Sequence, residues 1–508
     1  MSRVQAIMAV DQGTTNSRAI IFGRDGAVLG VGQRELPQHY PEPGWVEHDP
    51  EDIWGGQLAS CRHALRSAGL EAADLAAIGI SNQRETALLW DAETGLSLGN
   101  AIVWQCRRTA ARCAELEEEG HGPKVERITG LRLDPYFSAT KLEWLLAKRP
   151  EAAGLARTGR LRAGTIDSFL VWRFTKGRKH LTDYSNASRT LLLDLARLEW
   201  SDEMLDLFGI PATCLPRLCP SSRIVGATDP GWLGAPVPIA GIAGDQQAAL
   251  FGQGAFERGD SKNTYGTGCF LLANTGPHPV AAPHRLLSTV AWVLAPTGAN
   301  ERTVRYALEG SVFTAGAAVQ WLRDGLGLFA NAHEIGPLAA SVPDSGGVLF
   351  VPALTGLGAP YWDPAARGML IGLTRGTTRA HIARAAEEAI CLQVAAVLEA
   401  ITAAGLEITA LRVDGGAAHD DFLLQLQADV TGIAVARGRV QETTALGAAA
   451  LAGLAVGFWS EAEVRDLAGT DKVFHPRTTA EERARLRAGW ERAVERASGW
   501  ATGVQPPA

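Results

Sequence analysis

Gly241-Ile-Ala-Gly-Asp-Gln-Gln-Ala-Ala-Leu-Phe-Gly252 stands almost at the midpoint of the 508-residue chain. A short apolar strand over residues 237–242 runs into Gly244 and ends on a single acid, Asp245. Two amides follow, Gln246 and Gln247, and then a run of small residues that can start a helix. A carboxylate at the C-terminal end of a strand sits where open α/β sheets put their ligands. The same pattern suits an acid that merely caps the next helix. The flanking stretches decide between the two.

Outward from this point the two halves of the chain begin alike. Residues 261–265 read as a strand, Gly266-Thr267-Gly268 as a turn and residues 269–274 as a second strand. The N-terminus has the same plan. A strand over 4–10 ends at Asp11, Gln12-Gly13-Thr14-Thr15 turns the chain, and strands over 17–22 and 28–33 follow. A Gly-Thr-Thr turn can present backbone N–H groups and two hydroxyls to a phosphate, with Arg18 close behind. It also serves as an ordinary hairpin tip. No residue-by-residue repeat links the halves, so duplication rests on this pattern alone.

Other strand ends carry polar groups. A buried strand over 76–81 delivers Asn82-Gln83-Arg84-Glu85, a donor–acceptor pair suited either to hydroxyls or to a surface ion pair. Trp104 follows another strand and reads as core or as an apolar wall. Asp49-Pro50-Glu51-Asp52 starts a helix that Gly69 stops, and Thr378 caps the longest helix, stopped by Gly405. A helix over 141–148 is ended by Pro150. The segments 164–167 and 182–188 read as polar turns between apolar runs. Gly415-Gly416 at a strand-to-helix turn lets a flat ligand approach the backbone, and the Ala-rich helix after Gln441 must pack tightly.

Length favours two domains. A hydrophobic fraction of 46%, a charged fraction of 20% and a net charge of −7 fit a globular enzyme and argue against a nucleic-acid or anionic-membrane surface. No apolar run is long enough to span a bilayer, and Asp11 interrupts any signal-peptide core. Seven scattered cysteines without metal spacing read as reduced thiols of a cytoplasmic protein. The G-x-x-x-x-G-K-[ST], H-R-D/D-F-G and H-E-x-x-H motifs are missing from the sequence.

Asp11-Gln-Gly-Thr-Thr15, Asn263-Thr-Tyr-Gly-Thr-Gly268 and Val413-Asp-Gly-Gly-Ala417 resemble the two phosphate motifs and the adenosine motif of the actin/hexokinase-like ATPases. Residues 136–145 and 368–375 resemble the two signatures of the FGGY carbohydrate kinases. Residues 81–86, 103–109 and 241–251 look like the members of that family that act on glycerol. The resemblance covers the chain from about Val4 to Trp490.

It implies an α/β fold of two ribonuclease H-like ATPase domains, residues 1–252 and 253–508, facing across a cleft. ATP and Mg²⁺ would be used to convert glycerol to sn-glycerol 3-phosphate in glycerol catabolism. Arg84, Glu85, Tyr136, Asp245 and Gln246 would hold glycerol, with Trp104 and Phe270 on its carbons. Thr14, Thr15, Asn16, Thr267 and Gly268 would line the phosphates. Gly316, Gln320, Gly416 and Asp420 would bound the nucleoside, and Asp11 and Asp245 would orient Mg²⁺.

Asp245 is the expected general base, because it ends a strand and has no nearby sequence partner to commit it to an ion pair; Arg18 would stabilise the transferring phosphoryl group. Asp420 stands where relatives carry Asn; an ionised carboxylate has no hydrogen to donate, so a helix-capping role is expected. The family further implies a homodimer or homotetramer. A pentulose or gluconate kinase of the same family, and a non-catalytic ATP-driven switch, are the alternatives. The small aromatic-walled set of Arg84, Glu85, Trp104 and Phe270 fits three carbons better than five, and a pure switch would not need it.

Overall fold

The computed structural model describes residues 5–282, 285–295 and 302–501; Val4, the expected start of the first strand, lies outside them. Thirteen strands form the main sheet. They are β1 (Ala6–Gln12), β2 (Asn16–Phe22), β3 (Val28–Glu35), β4 (Leu75–Asn82), β5 (Ser222–Ala227), β6 (Pro238–Gly244) and β7 (Ser261–Tyr265). Then come β8 (Cys269–Gly276), β9 (Leu287–Leu294), β10 (Thr303–Val312), β11 (Ala410–Asp414), β12 (Ala434–Gly438) and β13 (Thr470–Phe474).

Each half repeats one topology. In the first, β3, β2 and β1 are antiparallel neighbours, and β4 and then β6 add in parallel. In the second, β10, β8 and β7 are antiparallel, and β11 and then β12 add in parallel. The half-sheets join where β9 meets β5 through Ser222 and Leu294, giving the order β13-β12-β11-β7-β8-β10-β9-β5-β6-β4-β1-β2-β3. The duplication expected from two Gly-Thr turns is therefore present in the strand order.

Register positions the site. Asp11 lies beside Ser81, and Gly244 beside Asn82, so β1, β4 and β6 deliver Asp11, Arg84–Glu85 and Asp245 to one edge. In the second half Thr264 lies beside Asp414, which brings the turn after β7 next to the paired glycines after β11.

The helices largely follow local signals. α1 (Pro50–Ala68) has Asp49 as its N-cap and a left-handed Gly69 as its C-cap. α2 (Ser138–Lys148) is followed at once by a helix over Pro150–Arg157, so Pro150 starts a helix as well as stopping one. α3 (Asp245–Gly252) and α4 (Gly316–Asp324) open on the cleft. α5 (Arg379–Ala403) is the long helix, capped by Thr378 with His381 completing the capping box.

α6 (Asp421–Thr431) follows the paired glycines, and α7 (Thr443–Ala455) is the Ala-rich helix. Although it comes from the second half of the chain, α7 packs on β1, β4, β6 and α3. Its contact is nearly backbone to backbone: a Cβ on Gly79 of β4 would collide with the Ala448 carbonyl, and one on Gly447 with the Ala248 carbonyl. Only Gly at these points lets the surfaces meet.

Two readings need correction. The segments expected as polar turns are a strand over Leu161–Thr165 with a helix over Ile166–Phe174, and a strand over Leu181–Asp183 with a helix over Tyr184–Ala187. Their polar residues are buried and satisfied by distant partners. Asn186 and Asn82 exchange hydrogen bonds at 3.0 and 3.1 Å, Ser221 donates to Asp183 at 2.7 Å, and Ser188 meets Thr289 at 2.7 Å.

Candidate active site

Asp245 is the first residue of α3, directly after Gly244, the residue in the capping position. It does not serve as the cap. Its Oδ1 accepts from the Gln246 N–H at 2.7 Å and lies 3.4 Å from Arg84 Nε, so the expected freedom from an ion pair is overturned. Arg84 lies 161 residues before Asp245 in the sequence, and only the register of β4 and β6 brings the two together.

Arg84 and Glu85 are both buried, which removes the surface ion-pair reading. The Arg84 guanidinium grips Glu309 of β10 with two hydrogen bonds, 2.6 and 2.9 Å, and donates to Tyr136 Oη and Gln247 Oε1, each at 3.3 Å. Arg189 donates to Glu85 at 2.8 Å and to Glu309 at 3.2 Å. Burial opposes the Arg84 charge, but Glu309 and Glu85 outweigh it and hold its pKa well above the usual value. Burial likewise pushes Glu309 up, yet Arg189 and Arg84 pull its pKa down to about 2. Two arginines and two glutamates thus form a fixed floor of balanced charge beneath Asp245.

Tyr136 completes that floor. Its position depends on Lys141, whose buried Nζ donates to the Pro135, Tyr136 and Phe137 carbonyls at 2.5, 2.7 and 2.9 Å. Burial lowers the Lys141 pKa to about 8. Trp104 stands edge-on to Tyr136 and to Phe270, with centroids 5.5 and 6.4 Å apart. Its Nε1 donates to Thr14 Oγ1 at 2.8 Å, tying the aromatic wall to the first turn. Gln246 accepts from Lys262 Nζ, which also reaches Thr264 Oγ1 at 2.8 Å. Burial lowers the Lys262 pKa to about 8.

The first turn holds Thr14, Thr15 and Asn16, the last two linked at 3.4 Å. Asp11 pairs across the β1–β2 ladder with Arg18. Burial, then Asp245, push the Asp11 pKa up to about 7. Burial also raises the Asp245 pKa, with Arg84 opposing and Glu85 adding. Arg18 forms a two-pronged ion pair with Glu442, 2.5 and 2.7 Å, just ahead of α7, while Thr443 donates to Asp414 at the end of β11. Among the described residues no group of three or more His, Cys, Asp or Glu side chains is placed to hold a metal ion. Asp11 and Asp245 are the coupled carboxylates of the cleft.

In the second half, a cavity of about 920 Å³ is lined by Thr267, Gly316, Gln320, Gly416 and Asp420. The Thr267 carbonyl accepts from Ala315 N at 2.9 Å and Ala317 N at 3.0 Å, so the second turn is bonded to the head of α4. Gly268 is different: it is buried, is not among the lining residues, and a Cβ there would collide with the Val312 carbonyl. Asp420 caps α6, accepting from Phe422 N at 2.8 Å and Leu423 N at 3.3 Å.

Residues 6–252 match the N-terminal domain, and residues 261–456 the C-terminal domain, of the FGGY family of carbohydrate kinases. The chain belongs to the FGGY family of carbohydrate kinases. A glycerol kinase of Symbiobacterium thermophilum is 56% identical over 97% of this chain and 99% of its own length. A glycerol kinase of Dechloromonas aromatica is 57% identical over 98% of both chains. The crystal structure of Plasmodium falciparum glycerol kinase with ADP superposes with a TM-score of 0.90 at 34% identity, covering 97% of this chain and 98% of that one. The FGGY signatures at 136–145 and 368–375 thus belong to a two-domain α/β kinase fold.

The sequence motifs gave no role to Arg189, Glu309, Lys262, Gln247 or Glu442. A sequence signal for Arg189 and Glu309 is the burial expected of their strand and helix contexts, which a charge can tolerate only with a partner.

Proposed function

We infer that the chain is an ATP-dependent glycerol kinase, forming sn-glycerol 3-phosphate. The observation that carries this reading is the set of Arg84, Glu85, Tyr136, Trp104, Phe270 and Asp245 gathered at one edge of the sheet, in a chain 56% identical to glycerol kinases over nearly its full length. The substrate lies mainly on residues 1–252, and the nucleotide occupies the cleft between that half and residues 253–508. Arg84, Glu85, Tyr136, Asp245 and Gln246 orient the hydroxyls, and Trp104 and Phe270 pack on the carbons.

A glycerol hydroxyl is a weak nucleophile, and a carboxylate within hydrogen-bond reach must take its proton as attack proceeds. Asp245 fills that role. Burial raises its pKa, which strengthens it as a base, and the Arg84 charge opposes the rise. Arg18 and the N–H groups of the Gly13–Thr15 and Gly266–Gly268 turns stabilise the loose phosphoryl transition state. Thr14, Thr15, Asn16, Thr267 and Gly268 position the phosphates, Gly268 by letting its strand approach β10. Gly316, Gln320, Gly416 and Asp420 bound the nucleoside.

Mg²⁺ fits the donor set: Asp11 and Asp245 are hard carboxylates, the charge of one disfavouring ionisation of the other, and they would hold a dication that commonly uses one or two carboxylates with water and phosphate. When bound it would neutralise charge on the phosphates. The chain is proposed to work in the cytoplasm as a homodimer or homotetramer, and no helix among the described residues is long and apolar enough to cross a membrane.

Product analysis tests the reading. Incubation with ATP, Mg²⁺ and glycerol should give a product fully oxidised by a dehydrogenase specific for sn-glycerol 3-phosphate. ADP release with a product that this dehydrogenase ignores would overturn it.

A further inference from the structure

Three acids line the nucleoside cavity; Asp421 is paired with Arg437 and Lys472, and the other two are in different circumstances. The Asp420 carboxylate is engaged with the backbone at the head of α6. Glu387, on α5, lines the same cavity, is only 2% exposed, and its Oε2 has no hydrogen-bond partner among the described residues. Around it the wall is apolar, with Ile335, Ile390 and Leu423. A buried carboxyl oxygen without a donor is costly when ionised, and each such group calls for an explanation.

We propose that Glu387 is the base-reading residue of the nucleotide site: as a carboxylic acid it meets the exocyclic amine and a neighbouring ring nitrogen of adenine, and as a carboxylate it favours the adjacent N–H donors of guanine. This rests on the reading that the cavity holds the nucleoside. A neutral carboxyl offers one donor and one acceptor, whereas an ionised one offers acceptors only. Adenine presents an amine donor beside a ring-nitrogen acceptor, so an ionised carboxylate satisfies one group and repels the other. Asp420, as a carboxylate, has no hydrogen to supply in its place.

The surroundings favour the neutral form near neutral pH. Burial is the main cause and Asp420 the next, with Arg384 opposing, and together they push the Glu387 pKa up to about 8. Arg384 is committed to Glu388 at 2.7 Å, one residue along the same helix, so it does not neutralise Glu387 directly. The other titratable groups nearby are Tyr265 on β7, Cys391 on α5, and His333, His419, Arg323 and Asp421 on the cavity wall, Arg323 being paired with Asp324 and Asp421 with Arg437 and Lys472. Ionisation therefore sets in as pH rises through about 8, and the adenine preference should fall in the same window.

The test is calorimetric binding of ADP and GDP to the full chain at about pH 6.8 and about pH 8.6, on either side of the Glu387 titration. In the parent, the ADP/GDP affinity ratio should fall about tenfold between the two, the worth of roughly one hydrogen bond made or lost. Glu387→Gln and Glu387→Leu should each give a pH-independent ratio, with Glu387→Leu binding ADP about tenfold more weakly at the lower pH. Gly416→Phe should abolish binding of both nucleotides, because a side chain there meets nothing within 4 Å and fills the cavity. A parent ratio that does not move with pH, or a Glu387→Leu variant that keeps the parent's pH dependence, would overturn the proposal. Unchanged ADP binding by a folded Gly416→Phe variant would instead overturn the cavity reading on which it rests.

Discussion

The charge of Asp245 adds to burial in raising the Asp11 pKa, and only Asp245 also touches the buried arginine floor. Asp245→Asn keeps the size and the Gln246 contact but removes the base. Steady-state kinetics should show kcat lower by about 10² to 10⁴ with the glycerol KM within a few-fold, the range for losing a general base. Turnover within a few-fold of the parent would refute the assignment. The pair also predicts a pH profile. A carboxyl with a raised pKa is protonated below it, so a function that needs the carboxylate fails as pH falls; with Asp11 at about 7, kcat/KM should decline below neutrality. A dication favours the ionised forms, so saturating Mg²⁺ should move that acid limb to lower pH. A limb indifferent to Mg²⁺ would argue against Asp11 and Asp245 as its holders.

At the scale of elements, the charge floor and the glycine seam of α7 hold the site edge together. Arg189→Met would leave Glu85 and Glu309 with one arginine between them, and removing a partner from a buried pair costs about 3–5 kcal/mol. The melting temperature should drop, and the glycerol KM should rise because Glu85 loses its anchor. Gly79→Ala would drive a methyl into the α7 backbone, at a cost of about 1–3 kcal/mol or more; a melting temperature equal to the parent's would show that the seam is loose.

The glycine seam was half legible: an Ala-rich helix announces tight packing, but not that its partner is the opposite half of the chain. Glu309 was legible only as a charge in a strand expected to be buried, which calls for a partner without naming it; that partner, Arg84, is 225 residues away. The segments around Asp167 and Asp183 read as turns for the same reason, since local pattern assigns polar residues to the surface and their partners are remote. What the sequence did carry were the caps, the Gly-Thr turns and the strand-end acids, whose meaning is local.

At the scale of the molecule, the two halves meet through α7 and the Arg18–Glu442 pair, so the aim of Arg18 depends on a contact from the other half. Control from outside the cleft is a separate matter. The family resemblance implies two possible controls, inhibition by fructose 1,6-bisphosphate through a Gly-rich loop that ends in Arg and activation by phosphorylation of a loop histidine. Here the loop carries Pro236 in place of the Arg, with no Lys, Arg or His from residue 224 to residue 257. Its short helix, Pro230–Leu233, is pinned by the Trp232 Nε1–Arg173 carbonyl bond at 3.0 Å. A bisphosphate needs charge-assisted donors, and Pro has neither charge nor N–H. Activity should be unchanged by fructose 1,6-bisphosphate at millimolar concentration, and saturable inhibition would reveal another basic surface that binds it.

This edge, with its aromatic wall and charge floor, is proposed to select a three-carbon polyol and phosphorylate it from ATP. A coupled assay of ADP release with ATP, Mg²⁺ and, in turn, glycerol, xylulose and gluconate measures it directly. The account predicts kcat/KM for glycerol above the other two by about 10² or more, as a pocket built around one substrate's hydroxyls discriminates. Equal or higher kcat/KM for xylulose or gluconate would contradict it.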